Sequence, residues 1–404
     1  MLDIAALTAD LDQRLAAADA ELAARYPGDQ PARQPVHTVY VPANRYRSQL
    51  CADWGGQARQ AISAHEDLFA ELVADDAVVA RVKEKLAAEP VEDLRVDFED
   101  GYGAWPDEAE DADARAAAAA LAESQAAGTA APFHGIRIKS FEAPTRARGV
   151  RTLGTFLAAL AEAGGAPGVV TLPKVTSVDQ VGAMVYALER IEHELGCAGL
   201  RFEIQVETPQ SILGPDGSAL VARMIHAARG RCSALHYGTY DYSAFCGIAA
   251  EYQSMAHPVA DHAKLVMQAA AAGTGVRLSD GSTNILPVGD AAAVRAGWQL
   301  HYGLVRRSLE HGYYQGWDLH PAQLPSRYAA TFAFYRAGLG RAAARLRDYA
   351  SSTGSSVLDE PATARALADY LLRALHCGAV DPAEAEAATG LGVGAITELA
   401  RPRR

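Results

Sequence analysis

The sequence has few cysteines, fewer basic than acidic residues and no long apolar run, and each shortage excludes a class of protein. The 5 cysteines among 404 residues lack CxxC or metal-type spacing, which indicates free thiols rather than disulfides or zinc ligands. A net charge of −12 argues against non-specific binding to nucleic acid or anionic membranes. No apolar run approaches the roughly 20 residues that span a bilayer, and the start of the chain, acidic from Asp3 onward, does not read as a signal peptide. We therefore expect a cytoplasmic protein.

The sequence signatures of several large enzyme classes are also missing. There is no GxSxG nucleophile elbow, no GxxxxGK[ST] phosphate loop, no HExxH zinc motif and no GxGxxG after a strand. The segment GSTN at 281–284 is only a weak candidate for a phosphate loop. The chemistry must therefore be sought in residues that are scattered along the chain.

What the sequence does contain is eight short apolar runs, each ending in polar or charged residues and separated by helix-compatible stretches. Strands that alternate with helices pair in parallel, and eight such units close into a barrel. The predicted fold class is α/β, a (β/α)8 TIM barrel whose strand C-termini face the active site. The runs are VHTVYVP from Val36, LRVDFED from Leu94, GIRIK from Gly135, VVTLPK from Val169, FEIQVE from Phe202, ALHYGTYD from Ala234, GVRLSDG from Gly275 and YYQGWDLH from Tyr313.

The pattern along the chain predicts two parts. Residues 1–328 are predicted to form the catalytic barrel domain, preceded by an amphipathic helix over residues 1–25 with leucines at helical spacing. Residues 329–404 contain no convincing strand and are predicted to form a helical C-terminal extension, with STGSS at 352–356 as a linker. We expect this extension to pack against another subunit of a homo-oligomer, a trimer or hexamer.

Two carboxylates, Glu207 and Asp241, follow the fifth and sixth strands in the segments VETP and GTYD. Adjacent strand ends lie about 5 Å apart, so both side chains can reach one divalent ion. Two hard oxygen ligands suit Mg²⁺, which keeps waters and takes further oxygens from the substrate. The alternative is a pair of solvated loop acids.

Arg137 lies inside the otherwise apolar run GIRIK. A buried arginine is costly unless it is paired, and its planar fork suits a substrate carboxylate. The alternative is a structural salt bridge to Asp97 or Glu99 on the second strand. Both interpretations can hold together, since an acid can orient an arginine that also binds a ligand.

The run DFEDGYG places Asp97, Glu99 and Asp100 within four residues, with the first two on one face of a strand. Acids crowded at a metal site favour a raised pKa in one of them, which would then serve in proton transfer. Lys174 offsets this charge or contacts the substrate; its alternative is an ordinary ion pair in the barrel core. His320, before Pro321, favours a structural role over that of a base.

Taken together, these segments resemble the citrate lyase β-subunit-like family, within the HpcH/HpaI aldolase group of pyruvate/phosphoenolpyruvate barrels, over roughly residues 36–325. VPANR is similar to the family's first-strand VPGN-type motif, and DFEDGYG, with Arg115 downstream, to its LEDAV segment and AR pair. GIRIK resembles its R-I-N strand and LPKV its LPK strand. VETP stands where that family has ETA, GTYDYSAFCG where it has GxxDxxxxLG, and GWDLHPAQL where it has G-K-x-x-IHPxQ.

This resemblance implies a Mg²⁺-dependent carbon–carbon lyase or aldolase, with Mn²⁺ as an alternative ion. The substrate would be a small hydroxy- or oxo-carboxylic acid or its CoA or acyl-carrier thioester, cleaved through a metal-stabilised enolate. Glu207 and Asp241 would bind the metal, Arg137 the substrate carboxylate, and Glu99 and Asp100 would form the acidic pair near the site. Two alternatives stay open: phosphoenolpyruvate or phosphonate chemistry on the same site, and a non-catalytic subunit of a lyase complex.

The chain departs from the family pattern at several positions, which affects the expected substrate more than the fold. Lys139 stands where asparagine is common, and Ala43 replaces the VPGN glycine. Trp317 and Asp318 occupy the eighth-strand motif where smaller or basic residues are usual. No sequence feature assures a site for CoA or an acyl carrier.

Overall fold

The computed structural model describes residues 2–29, 31–351 and 360–401, and at its centre lies an eight-stranded parallel sheet. Each predicted run overlaps one strand, although β2, β3 and β6 begin one or two residues before their runs. The strands are β1 His37–Pro42, β2 Asp93–Asp97, β3 Phe133–Arg137, β4 Val169–Leu172, β5 Phe202–Val206, β6 Cys232–Tyr237, β7 Arg277–Ser279 and β8 Gly316–Asp318.

The sheet curls into a barrel in the order β7-β6-β5-β4-β3-β2-β1-β8. Main-chain hydrogen bonds also join its two outer strands: the Asp280 N–H donates to the Gln315 carbonyl at 2.8 Å, and the Trp317 N–H donates to the Gly281 carbonyl at 3.0 Å. The predicted α/β barrel is therefore confirmed, and the C-terminal ends of all the strands share one mouth.

The helices that follow and flank the strands agree with the predicted alternation. They are α1 Ile4–Arg25, α2 Leu50–Ala64, α3 Glu66–Val73, α4 Asp76–Ala88, α5 Asp107–Ala126, α6 Arg146–Glu162, α7 Val178–Leu195, α8 Pro209–Ile212, α9 Leu220–Ala227, α10 Thr239–Phe245, α11 Pro258–Ala271, α12 Ala291–Glu310, α13 Leu324–Ala350, α14 Pro361–Cys377, α15 Pro382–Thr389 and α16 Val393–Ala400. In the described part of the chain, no helix is both long and apolar enough to cross a membrane.

The C-terminal helices pack on the barrel of their own chain. The Tyr370 hydroxyl donates to the carbonyls of Phe334 and Tyr335, each at 2.8 Å, and Arg81 on α4 pairs with Glu384 on α15 at 2.8 Å. Helix α13 crosses residue 328, so one continuous helix joins the two predicted parts. The division at that residue and the packing on another subunit stay predictions, and the STGSS linker at 352–356 lies outside the described residues.

Polar and charged side chains fill much of the inside of the barrel, whereas apolar side chains of the strands pack against the helices. Arg95 on β2 is 2% exposed and pairs with Asp93 and with Glu203, the latter at 2.7 Å. The His236 imidazole also lies 3.1 Å from Glu203. Since side chains alternate along a strand, Leu94 and Val96 face the other way and belong to the apolar core. The barrel thus carries its charge along its axis, in paired groups.

Candidate functional site

The ammonium group of Lys174 is the centre of a charged cluster at the C-terminal mouth of the barrel. It contacts the carboxylate of Glu99 and lies 2.9 Å from Asp100 Oδ1 and 3.3 Å from Asp241 Oδ2. The loops after β2, β4 and β6 therefore meet at one positive charge. Lys174 itself has a φ of 51°, a left-handed conformation that is uncommon for a residue with a side chain.

Glu207, directly after β5, lies behind this cluster and is 3% exposed. Its Oε1 accepts a hydrogen bond from the main-chain N–H of Lys174 at 2.6 Å. Burial raises the pKa of Glu207 to about 8, although the positive charge of Lys174 opposes that shift. A Cβ atom on Gly238 would lie 2.8 Å from Glu207 Oε2, so glycine at this position leaves room for the carboxylate.

Arg137, the last residue of β3, is held on two sides. Its Nε and Nη2 donate to the two carboxylate oxygens of Asp97 at 2.6 and 2.7 Å, and its guanidinium carbon lies 4.6 Å from the centre of the Tyr40 ring. The remaining nitrogen, Nη1, lies 3.4 Å from Glu99 Oε2. The structural ion pair that the sequence left as an alternative is therefore present, and Nη1 is the nitrogen that a substrate carboxylate can take.

Glu99 and Asp100 are neighbours whose pKa values move in opposite directions. Burial and the charge of Asp100 raise the pKa of Glu99 against the opposing charges of Arg137 and Lys174. Burial also acts to raise the pKa of Asp100, but hydrogen bonds with Glu99 and Lys174 outweigh it, so that pKa lies below its ordinary value. A pair of acids with separated pKa values is suited to giving and taking a proton.

Lys139 holds the loop that carries these two acids, a role that the sequence did not reveal. Its ammonium donates to the carbonyl of Phe98 at 2.5 Å and to that of Gly103 at 3.2 Å, and lies 3.4 Å from Glu110 on α5. Lys139 thus contacts both ends of the loop. Its position two residues after Arg137, just beyond the end of β3, was the available signal.

His320 has a structural partner in the turn that follows β8. Its Nδ1 accepts the Ala322 N–H at 3.1 Å at the start of a short 3-10 helix over Pro321–Gln323, and burial lowers its pKa. The position agrees with the structural alternative and brings no contact to the Lys174 cluster among the described residues.

The donor set of this mouth fits a hard divalent cation. No cluster of three or more His, Cys, Asp or Glu side chains suited to a metal ion occurs in the described ranges; the candidate is a pair, Glu207 and Asp241. Both carboxylates face the same ammonium group, and the negative charge of Asp241 adds to the raised pKa of Glu207. Two carboxylates beside one positive charge, with the mouth open to water, are the ligand type and number that Mg²⁺ accepts.

The comparisons with known proteins give a family and a fold. The profile of DUF6986, described as a domain of unknown function, matches residues 15–404. No curated protein matches the chain by sequence.

Solved structures that resemble the barrel include two forms of malate synthase from Haloferax volcanii. The magnesium/glyoxylate complex has a TM-score of 0.51 at 13% identity, covering 91% of this chain and 97% of that chain. The native form at 3 mM glyoxylate has a TM-score of 0.50 at 13% identity, covering 75% and 76%. The protein CitE from Mycobacterium tuberculosis, in complex with magnesium, acetoacetate and coenzyme A, has a TM-score of 0.48 at 19% identity, covering 86% and 99%. The malate synthase likeness shows a shared barrel fold.

Proposed function

We propose that this chain, which belongs to the DUF6986 family, is a Mg²⁺-dependent carbon–carbon lyase or aldolase that acts on a small hydroxy- or oxo-carboxylic acid or its thioester. The observation that carries the proposal is the convergence of Glu99, Asp100 and Asp241 on the Lys174 ammonium, in front of the buried Glu207. The sequence resemblance to the citrate lyase β-subunit-like family supports the same assignment. Mn²⁺ is the alternative ion.

In this proposal, Glu207 and Asp241 hold the divalent ion. When bound, the ion supplies Lewis-acid stabilisation for negative charge on a substrate oxygen. Lys174 then no longer needs to neutralise Asp241 and keeps its contacts with Glu99 and Asp100. The Lys174 main-chain N–H fixes the orientation of the Glu207 carboxylate, and this hydrogen bond does not involve the Lys174 side chain.

Arg137 binds the substrate carboxylate through Nη1. Asp97 and Tyr40 fix the plane of the guanidinium before any ligand arrives, so little side-chain entropy is lost on binding. The same guanidinium lies beside Glu99, which brings the anchored end of the substrate close to the acidic pair.

Glu99 and Asp100 move the proton that accompanies bond cleavage or formation. Glu99, with its raised pKa, is the member that holds a proton longer, and Asp100 is the member that stays ionised. Lys174 contacts both and keeps their charges compensated while the proton moves. Lysine and the two acids therefore act as one unit.

The test is turnover by the purified full chain with Mg²⁺ or with EDTA. Hydroxy acids, oxo acids and their CoA thioesters form one arm, phosphoenolpyruvate and phosphonates form a second, and an added acyl-carrier protein forms a third. We expect Mg²⁺-dependent cleavage or condensation products in the first arm. Turnover confined to the second arm would replace the lyase by phosphoryl or phosphonate chemistry, and activity only with a carrier would favour a complex subunit.

The matched pair of variants for this assay is Asp241→Asn and Asp216→Asn. Asp216 is an exposed acid in the 214–219 loop, and its side chain is 60% exposed. We expect Asp241→Asn to abolish Mg²⁺-dependent turnover and weaken Mg²⁺ binding in calorimetry, whereas Asp216→Asn keeps both. Full activity of Asp241→Asn would remove the metal assignment.

We also propose that the chain forms a homo-oligomer through α1. This 22-residue helix has no buried residue, and the side chains of Leu7, Leu11 and Leu15 are exposed on it. Isolated helices are marginal in water, so a second copy that covers the leucine row would stabilise it.

A further inference from the structure

A large cavity opens at the N-terminal end of the barrel, opposite the mouth described above. Its volume is about 1130 Å³, and its walls come from the starts of β2 to β7, the segments before β1 and β8, the end of α1 and the helix α14. Pockets for drug-sized ligands measure about 300–1,000 Å³. The cavity therefore has room for a whole small molecule.

Among the arginines that line this cavity, three come from distant parts of the chain: Arg201 before β5, Arg277 at the start of β7 and Arg373 on α14. The guanidinium of Arg277 donates to the Ala32 carbonyl at 3.2 Å, and that of Arg201 donates to the Cys232 carbonyl at 3.2 Å. Neither pairs with a carboxylate among the residues that the structure describes. Two positive charges on the cavity wall are thus left without a counter-charge.

The arginines are close enough to repel one another. Arg201 reaches Cys232 at the start of β6, the strand that lies between β5 and β7 in the sheet. Burial lowers the pKa of Arg277, and the charges of Arg373 and Arg201 lower it further. The N-terminal end of the barrel, which we call its floor, therefore concentrates positive charge in a protein that is acidic as a whole.

The third guanidinium is held rigidly beside the other two. Arg373 donates to Gln34 Oε1 at 2.8 Å, and Gln34 Nε2 donates to the Leu278 carbonyl at 3.0 Å, next to Arg277. The Arg373 guanidinium also lies 4.2 Å from the centre of the Tyr314 ring, and Arg373 Nε pairs with Asp369 at 2.8 Å. Asp369 neutralises Arg373, so the unpaired positive charge of these three arginines is that of Arg201 and Arg277.

The acids inside the cavity do not supply this missing charge. Asp93 and Glu203 also line it, but both are paired with Arg95 inside the barrel. Asp29 lines it as well, but it is exposed, and among the described residues it forms no ion pair with Arg201 or Arg277. An incoming anion would compensate both guanidinium groups at once. A phosphate dianion matches both the charge and the geometry, because guanidinium forks bind phosphate oxygens in pairs.

We propose that this cavity binds a small phosphate ester, with the phosphate on Arg201, Arg277 and Arg373 and the organic part in the remaining volume. The site is separate from the Lys174 mouth and does not depend on the reaction proposed for it. Because α14 contributes Arg373, the helical extension completes the site on its own chain.

The test is titration of the full chain in EDTA with inorganic phosphate, with a nucleoside monophosphate as a phosphate ester, and with succinate as a dicarboxylate. Calorimetry and thermal denaturation give the affinity and the shift in Tm. We expect the phosphate ester to bind more tightly than inorganic phosphate, and succinate to bind at least tenfold more weakly. Equal binding of succinate would overturn the phosphate assignment, and the absence of binding by either phosphate probe would overturn the site.

Arg277→Gln is the test variant and Arg229→Gln is its control. Arg229 lines the same cavity, but its side chain is 75% exposed and lies 3.8 Å from Glu189. We expect at least a tenfold loss of phosphate affinity in Arg277→Gln and no loss in Arg229→Gln. Arg201→Gln, a change at an exposed side chain, repeats the test if Arg277→Gln does not fold. Unchanged affinity in the folded test variant, or equal losses in test and control, would refute the proposal.

Binding at the floor is separated from binding at the mouth by Asp241→Asn. This variant changes a residue of the proposed metal site only, so phosphate affinity in EDTA should stay as in the wild type. A change of phosphate affinity in Asp241→Asn, and above all a gain from the loss of a repelling carboxylate, would place the phosphate at the mouth and overturn the floor site.

Discussion

Replacing Lys174 by methionine tests whether the ammonium occupies the place of a cation. The change removes the positive charge near Glu99, Asp100 and Asp241 but keeps the length of the side chain and the main-chain N–H that orients Glu207. The left-handed backbone is equally uncommon for both residues. Any change in Mg²⁺ binding therefore reports the charge.

The size of the effect follows from the contact between Lys174 and Asp241. At 3.3 Å and an effective dielectric constant of about 20, one pair of unit charges interacts by about 5 kcal/mol. The Asp241 side chain is 37% exposed, and exposed pairs contribute only about 1 kcal/mol or less once solvent screening and entropy are counted. A divalent ion that no longer displaces the ammonium should gain about 1 kcal/mol, or about fivefold in affinity.

The assay is calorimetric titration of Mg²⁺ into metal-free wild type and Lys174→Met. We expect tighter Mg²⁺ binding together with loss of turnover, because the acids keep a counter-ion but lose the group that contacts Glu99 and Asp100. Lys85→Met is the control: Lys85 is partly buried and pairs with Glu89 and Glu92 near the start of β2, at the other end of the barrel. Weaker Mg²⁺ binding in Lys174→Met, with the control unchanged, would refute the competition between ammonium and metal.

Three further predictions concern stability, metal affinity and assembly. Arg137→Met leaves Asp97 buried and unpaired, so we expect the free energy of unfolding to fall by about 3–5 kcal/mol in denaturant titration; a loss below about 1 kcal/mol would contradict the buried pair. In Gly238→Ala the new Cβ would lie 2.4 Å from the Glu207 Cβ, so Mg²⁺ affinity should fall about 10–100-fold, while Gly182→Ala, with open space around it, should not change it. Deleting residues 1–25 should reduce the number of chains per particle measured by light scattering; an unchanged number of chains would exclude α1 from the interface.

The sequence was enough to predict the barrel and the place of its mouth. Eight runs with polar ends specify eight strands, and parallel strands bring their C-terminal ends to one edge whatever their separation along the chain. This topological rule is why Glu99, Lys174 and Asp241 could be expected together before any distance was known. The roles assigned to them remain predictions.

The left-handed turn that places the Lys174 ammonium between the acids could not be predicted from the sequence. Lys174, with a φ of 51°, follows Pro173 in a turn. The sequence has no glycine or asparagine there that would indicate a left-handed residue. The charged interior of the barrel, in contrast, does have a sequence signal. Arg95 and Asp97 alternate with apolar residues in β2, and Glu203, Gln205 and Glu207 alternate with them in β5.

The cavity at the barrel floor could not be predicted from sequence patterns. Arg277 and Arg373 belong to a strand and to a helix of the extension, and no local spacing relates them. Their proximity depends on Gln34, which links α14 to the main chain of β7 from a segment without regular structure. Long-range placement of this kind follows from packing and has no local sequence signal.

The fixed geometry of Arg137 restricts how a substrate can bind at the mouth. Asp97 takes the Nε–H and one Nη2–H, so a carboxylate ligand can gain at most two hydrogen bonds from this arginine, from the Nη1/Nη2 edge. Two charge-assisted hydrogen bonds contribute about 3–6 kcal/mol, too little to hold a small acid at micromolar concentration, which needs about 8 kcal/mol. The remainder must come from other groups of the mouth, and the carboxylate pair of Glu207 and Asp241 cannot supply it to an anion unless a cation lies between them. Substrate binding, and not turnover alone, should therefore require the divalent ion.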